Sequence, residues 1–201
     1  MPALLLPRLQ SCSDLQSVLN CGLALSLELT DAFLGNVQLM DWKTGSLTIA
    51  AQRGFNDEFL SCFRLVSAGS GSACGRAIRK RSSIVIEDVL LDREFALYRT
   101  VALEAGFRAV QSTPLISSSG AFLGVLSTHF SETHRPSEGE MQAVKVAGEL
   151  TANAIIQQRA KARRGDGDSE EKAEEERIAR TVAAVERSYE LLRQVDRRLK
   201  H

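Results

Sequence analysis

Apolar residues near the start of the chain recur every three or four positions, the spacing of one face of an α-helix. They are Leu15, Val18, Leu19, Gly22, Leu25 and Leu29. Ser13 and Asp14 directly precede this series and are residue types that cap helix N-termini. We therefore predict a helix that begins at about residue 15 and ends near residue 30.

Beyond this helix the pattern changes to alternation. Val37 and Leu39 alternate with Asn36 and Gln38, and the turn-forming residues 42–45 follow shortly afterwards. A second run, predicted as a strand, spans residues 46–52. This arrangement predicts a β-hairpin.

The middle of the chain predicts shorter elements. A short helix is expected over 57–63, and a Ser/Gly-rich stretch then opens a helix over 73–79. A strand is expected over 83–86. One or two short helices follow within 92–105 and end at Gly106, a residue type typical of helix C-termini.

A second hairpin is the most informative segment. Residues 106–115 and 120–130 are mostly apolar or small and are joined by a Ser/Gly turn. Strands that are apolar on both faces must be covered on both, which predicts that this hairpin lies inside the sheet. Strand parity places Val125, Ser127 and His129 on one face. Leu126, Thr128 and Phe130 fall on the other.

A final helix begins after Ser137, with Glu140 three residues later, and runs to about residue 162. The order of elements predicts an α+β domain built on one central antiparallel sheet. The two long terminal helices would cover one face, and the short helices and loops the other. We divide the chain into a domain over 12–162, a Gly/Asp linker over 163–168 and a charged amphipathic helix over 169–201.

Composition narrows the possible partners. Twenty-five basic and 25 acidic residues leave a formal net charge of zero, so the balance of charge favours neither nucleic acid nor an anionic membrane. The four cysteines include no Cys-x-x-Cys pair, and no His/Cys cluster has zinc spacing. The chain lacks an apolar run long enough for an export signal or a membrane span. We therefore expect a cytoplasmic protein with reduced thiols.

The predicted tail carries a heptad stripe. Ile178, Val185, Leu192 and Leu199 repeat every seven residues, and Val182 and Tyr189 occupy the alternate core position. About three heptads are enough for a weak coiled coil or for docking onto a partner helix. The competing interpretation is a solitary, fully solvated charged helix.

Several segments together resemble GAF domains, the small-molecule sensor modules of signalling proteins. The matching segments, in chain order, are residues 37–41, 44–47, 51–55, 69–75, 84–89, 106–130 and 134–138. The resemblance covers most of the globular part and is strongest to members that accompany histidine kinases, although no kinase segment is present. It implies a GAF/PAS-like fold with a ligand pocket between the sheet and its covering segments.

The resemblance also implies which residues line that pocket. Phytochrome-like members present pocket residues from positions that correspond to Ser112, Ser127 and His129, and Val110 shares the face of Ser112. Two further candidates are Tyr98, in the connection over the sheet, and Asp88, after a strand. For each of these we also keep a structural interpretation: His129 as a satisfied strand-end histidine, Asp88 as a turn cap and Tyr98 as a surface residue.

Phytochrome-like members tether a bilin through a Cys just before the residue that Gly106 resembles. No Cys or His occurs between Val89 and Gly106, which excludes covalent bilin attachment there. The segments around Cys62 and Cys74 faintly resemble two cysteine segments of GAF-fold free-methionine-sulfoxide reductases. The cysteine that those enzymes place before the central hairpin is missing, which weighs against thiol chemistry.

We therefore predict a non-catalytic GAF sensor or regulatory domain that binds a small molecule or a partner and forms a homodimer through its terminal helices. A histidine kinase or another helix-docking protein is the expected signalling partner. The alternatives are a divergent thiol reductase that uses Cys62 and Cys74, and a ligand-free interaction scaffold whose pocket is filled by side chains. No cofactor or ligand can be named from the sequence.

Overall fold

The computed structural model describes residues 2–164, 178 and 180–183. The helices of the domain are α1 (Pro2–Gln10), α2 (Leu15–Thr30), α3 (Asp57–Cys62), α4 (Ala73–Lys80), α5 (Arg99–Glu104) and α6 (Glu138–Arg164). The strands are β1 (Leu34–Asp41), β2 (Ser46–Arg53), β3 (Val66–Ser67), β4 (Ile84–Ile86), β5 (Ala109–Ile116) and β6 (Phe122–Phe130). The predicted linker beyond Arg164 and most of the predicted tail lie outside the described residues.

The strands form one antiparallel sheet in the order β3-β2-β1-β6-β5-β4. Strands β5 and β6 are the predicted second hairpin, and β1 and β4 flank them. The prediction that this hairpin lies inside the sheet is therefore confirmed, and with it the α+β fold. Every residue of β6 is buried, as expected for a strand that is covered on both faces.

The two long helices α2 and α6 pack against each other on one face of the sheet, and α1 packs beside them. Together with this face of the sheet they form an aliphatic cluster that includes Leu19, Leu25, Leu126 and Ile155. We call this side of the sheet the helix face.

The opposite side, which we call the cover face, lies under α3, α4, α5 and their connections. Its cluster is rich in aromatic residues and includes Phe55, Phe59, Phe95 and Phe107. A salt bridge of 2.7 Å between the Arg76 Nη1 and the Asp92 Oδ2 ties α4 to the connection before α5. The predicted two-layer covering of the sheet is thus present.

The helix caps follow the sequence in part. The Asp14 carboxylate accepts a hydrogen bond from the Ser17 backbone N–H at 2.8 Å, and the Ser17 hydroxyl accepts one from the Asp14 N–H. At α6 the Glu140 N–H donates to the Ser137 hydroxyl, as a capping box requires. The Glu140 carboxylate instead contacts the His134 Nε2 at 2.7 Å, so it pairs with the histidine that precedes the helix.

Candidate functional site

Three neighbouring strands place polar side chains in one row on the cover face. Asn36 of β1 is the register partner of Ser127 on β6, which in turn pairs with Ser112 on β5. The Oγ atoms of Ser112 and Ser127 are 2.7 Å apart and share one hydrogen bond. His129 and Val110 pair in the next row. This part of the sheet forms the floor of a small cavity.

Aromatic rings surround the space above this floor. Phe55 and Phe59 are stacked with their ring centroids 3.6 Å apart, and both meet the imidazole of His129 edge-on. The ring centroid of Phe107 lies 4.6 Å from that of His129. The residues that line the cavity are Asn36, Phe59, Phe63, Ser72, Ala73, Cys74, Phe95, Phe107, Val110, Ser112, Ser127 and His129.

The cavity is nearly filled by its own lining. The volume open to the centre of a water-sized sphere is about 10 Å³. One water molecule needs about 10–15 Å³ on this measure. A larger molecule can therefore enter only if the covering segments move away from the sheet.

Two buried polar atoms in the lining have no hydrogen-bond partner among the described residues, the Asn36 Oδ1 and the His129 Nδ1. Burial lowers the pKa of His129 from 6.5 to about 3, and a hydrogen bond to the Leu34 backbone opposes this shift. The imidazole is therefore neutral at pH 7. We assign the proton of the neutral ring to Nε2, because Nδ1 has no partner among the described residues, and this assignment makes Nδ1 an acceptor.

Helix α4 begins at the edge of this cavity. The Ser72 hydroxyl caps the helix by accepting from the Gly75 N–H at 3.2 Å. The Ser70 Oγ lies 2.8 Å from both the Ser72 Oγ and the Tyr98 hydroxyl oxygen. Tyr98 is not among the residues that line the cavity, and the structure gives it the role of joining α4 to the connection before α5.

Asp88 also lies outside the cavity lining. Its Oδ2 accepts a hydrogen bond from the Arg108 Nη2 at 2.7 Å, and its Oδ1 accepts one from the Leu90 N–H at 2.9 Å. The hydrogen bond from Arg108 is the main reason that the pKa of the Asp88 carboxyl lies below its ordinary value, and the hydrogen bond from Leu90 lowers it further. This geometry matches the structural interpretation of Asp88 as a turn cap.

The two cysteines of the reductase alternative differ in environment. Cys62 is exposed at the end of α3, whereas Cys74 is buried in the cavity lining. Burial raises the pKa of both thiols, which disfavours the thiolate that nucleophilic chemistry requires. In the part of the chain that the structure describes, no group of three or more His, Cys, Asp or Glu side chains is placed to hold a metal ion.

The structure brings together four of the six predicted site residues, Ser112, Ser127, His129 and Val110. Sequence reasoning did not select Asn36 as a site residue, because it stood only as a polar position in the alternation of β1. In fact Asn36 is only 2 % exposed, because β1 pairs with β6 inside the sheet and both its faces are covered. The aromatic wall was also missed, and its signal in the sequence was the phenylalanines of residues 55–63 together with Phe95 and Phe107.

The protein-family model of the GAF domain matches residues 12–156 of the chain. The chain belongs to the GAF domain family. None of the helices among the described residues is long and apolar enough to cross a membrane.

Several solved structures, one of them a GAF domain, have the same fold. The GAF domain of a phosphoenolpyruvate-protein phosphotransferase from Coxiella burnetii superposes with a TM-score of 0.69 at 19% identity, covering 80% of this chain and 94% of that one. Free methionine-R-sulfoxide reductase from Neisseria meningitidis, solved with its substrate, superposes with a TM-score of 0.64 at 18% identity, covering 80% of this chain and 89% of that one. A domain of a putative two-component sensor histidine kinase protein from Sinorhizobium meliloti superposes with a TM-score of 0.62 at 19% identity, covering 77% of this chain and 100% of that one.

Among curated proteins, the methyl sulfide methyltransferase-associated sensor of Methanosarcina acetivorans is 28% identical over 89 residues. The match covers 44% of this chain and 8% of the sensor. It links the chain to a small part of a much longer sensor protein.

Proposed function

We propose that this GAF domain is a non-catalytic regulatory module of bacterial signal transduction that binds a small uncharged molecule in the cavity on the cover face. The observation that carries the proposal is the pair of unpaired acceptors, the Asn36 Oδ1 and the His129 Nδ1, in residues that line a cavity walled by aromatic rings. Buried polar atoms in folded proteins nearly always have a partner. A bound molecule would supply one for both.

The chemistry of the lining defines the class of ligand. Two acceptors call for a ligand with N–H or O–H donors, and the paired hydroxyls of Ser112 and Ser127 provide one further hydrogen atom. None of the lining residues is Asp, Glu, Lys or Arg, and the imidazole of His129 is neutral at pH 7. A buried charge would have no counter-ion there, which favours a neutral ligand.

A catalytic role for the thiols has less support. The raised pKa of Cys74 disfavours its thiolate, and the sequence has no cysteine after position 74 to act with it. The fold similarity to the Neisseria meningitidis reductase supports a common fold, not a common reaction. Ligand binding without a covalent bond is the proposal that these residues favour.

A ligand-free scaffold is the second candidate, and the size of the cavity favours it. With only about 10 Å³ open to a water-sized sphere, the side chains almost fill the site by themselves. In this alternative ordered water would satisfy the unpaired acceptors. The signalling role would then depend on helix contacts alone.

We further propose a homodimer formed through the terminal helices, with a histidine kinase or another helix-docking protein as its signalling partner. The support is the sensor context of the relatives and the position of α2 and α6 on the face of the sheet opposite the cavity. Movement of the cover on ligand binding would change the packing of the sheet and thereby bias these helices.

Two substitutions at adjacent residues of β6 test ligand binding. Ser127→Val adds bulk to the cavity and removes a floor hydroxyl, whereas Thr128→Val removes a buried hydroxyl on the helix face. Native mass spectrometry of protein purified from its host would compare both with the parent. We expect a bound small molecule on the parent and on Thr128→Val, and its loss from Ser127→Val.

The outcomes separate the two candidates. If the parent and both variants carry no molecule beyond water, the scaffold is supported and ligand binding is rejected. If Ser127→Val keeps the molecule as tightly as the parent, the ligand lies somewhere other than the cavity. Circular dichroism on each variant would establish that the fold is retained.

A further inference from the structure

Two residues of the predicted tail stripe lie among the described residues. Ile178 is 5% exposed. Val182, the next stripe position, packs against the aliphatic cluster of the domain that includes Leu19, Leu150 and Ile155. The two residues are helical and are separated by one helical turn.

The exposure of the neighbouring residues identifies the face that contacts the domain. Arg180 and Ala183 are exposed, whereas Ile178 is buried and Val182 is half-buried. The side that carries the heptad stripe therefore faces the domain. This is the side that a coiled coil would bury against a second helix.

We propose that the turn of the tail that carries Ile178 and Val182 docks on the helix face of its own domain, so that docking and self-association of the tail compete for these two residues. A side chain that packs against its own domain cannot also fill a hole in a partner helix. The occupant of this surface is thus the Ile178 segment of the same chain, and release of that segment is required before the stripe can pair.

Mass action favours the docked state. A segment joined to its binding surface by a short connection has an effective concentration in about the millimolar range. A second copy of the chain competes only at its own concentration, which is on the order of micromolar in typical solution experiments. Self-association through the stripe therefore needs either a high concentration of protein or a partner that displaces the tail.

The docked tail also bears on the proposed dimer. It covers part of the layer formed by the terminal helices, the same layer through which we propose dimerisation. The inference does not depend on a ligand in the cavity, which lies on the other face of the sheet. Its failure would therefore leave the proposed ligand site untouched.

Hydrogen–deuterium exchange of the full chain tests the inference, followed in peptides that contain residues 178–183. Docking predicts protection that is the same at 1, 10 and about 100 micromolar protein, because an intramolecular contact does not depend on concentration. Burial of one isoleucine is expected to slow exchange about 10- to 100-fold. Light scattering on the same samples would give the oligomeric state.

Two variants complete the experiment. Ile178→Asp places a charge at a buried apolar position and should abolish the protection, whereas Ala183→Asp, on the exposed side of the same helix, should retain it. Peptides from β5 and β6 report in both variants whether the domain remains folded. Protection that is absent in the parent, that survives Ile178→Asp, or that rises with concentration together with a dimer mass would overturn the proposal.

Discussion

The two faces of the central sheet are both buried, yet they are built from different chemistry. On the helix face, Leu126 and Phe130 of β6 pack among aliphatic side chains from α2 and α6. On the cover face, Ser127 and His129 of the same strand lie under aromatic rings. One strand therefore contributes to a long-helix interface on one side and to a cavity lining on the other.

Buried polarity alone does not distinguish these faces. Gln111 and Thr128 are register partners on the helix face, and both are fully buried. The Gln111 Nε2 donates to the Thr113 hydroxyl at 3.4 Å, while the Thr128 Oγ1 has no partner among the described residues. What distinguishes the cover face is that two of its residues with unpaired buried atoms, Asn36 and His129, line a cavity.

The largest effect is expected from Phe107→Ala on the cover face. Phe107 is 1% exposed and contacts the rings of Phe55, Phe59, Phe95 and His129. Its truncation should lower the free energy of unfolding by about 3–5 kcal/mol, because the cavity that it leaves adds to the lost apolar burial. Urea denaturation followed by circular dichroism measures this loss.

Leu97→Ala is the control, since Leu97 belongs to the same cover but is 89% exposed. It should change the free energy of unfolding by less than about 0.5 kcal/mol. A loss below about 1 kcal/mol for Phe107→Ala would mean that the cover collapses readily into the vacated space, contrary to a well-packed aromatic wall.

A smaller loss is expected from Gly22→Ala on the helix face. A methyl group built on Gly22 of α2 would overlap the Oγ1 and Cγ2 of Thr151 on α6. Because the Thr151 hydroxyl also donates to the Ala147 carbonyl, the side chain cannot turn away without losing that bond. We expect a loss of about 1–3 kcal/mol in the free energy of unfolding, which is typical of overpacking.

Thr151→Ala in the Gly22→Ala background should recover part of this loss, since the two overlapping atoms are then absent. Chemical denaturation of the single and double variants forms a double-mutant cycle. Additive losses would show that the close approach of α2 and α6 at this point does not constrain the fold.

The sequence predicts the fold well where hydrophobic periodicity is strong. The bounds of α2, the two hairpins and the start of α6 are each within about three residues of the prediction. Helix α1 was missed, because Pro7 lies inside it and lacks the N–H that an interior helical residue donates. Strand β3 has only two residues, too few for any alternation to be recognised.

The candidate site is predictable only on the sheet side. Strand parity identifies the shared face of Ser127 and His129 because alternation is a local property of the chain. The contributions of Asn36 and Phe107 depend on which strands pair and on how a loop folds over them, and neither is encoded in local spacing. The size of the cavity is likewise a property of packing and not of pattern.

The last prediction uses His129 to compare the two faces by pH. The folded-state pKa of His129 is about 3, below the 6.5 of an ordinary histidine, so the unfolded chain binds a proton between these values and the folded chain does not. The resulting stability is present in full above pH 6.5 and is lost as the pH falls towards 3. Between pH 6.5 and 5 we expect a loss of about 1–2 kcal/mol in the free energy of unfolding, which His129→Gln should lack and Thr128→Val should retain.

Denaturant unfolding at each pH measures the difference between the parent and the variants. The carboxyl groups with lowered pKa values, such as Asp92, titrate below this pH range and therefore do not obscure the difference. Parallel pH profiles for the parent and His129→Gln would mean that the imidazole of His129 gains a proton in the folded state. The floor of the cavity would then present a hydrogen-bond donor at Nδ1 where we expect an acceptor. That change would alter the class of ligand that the site can bind.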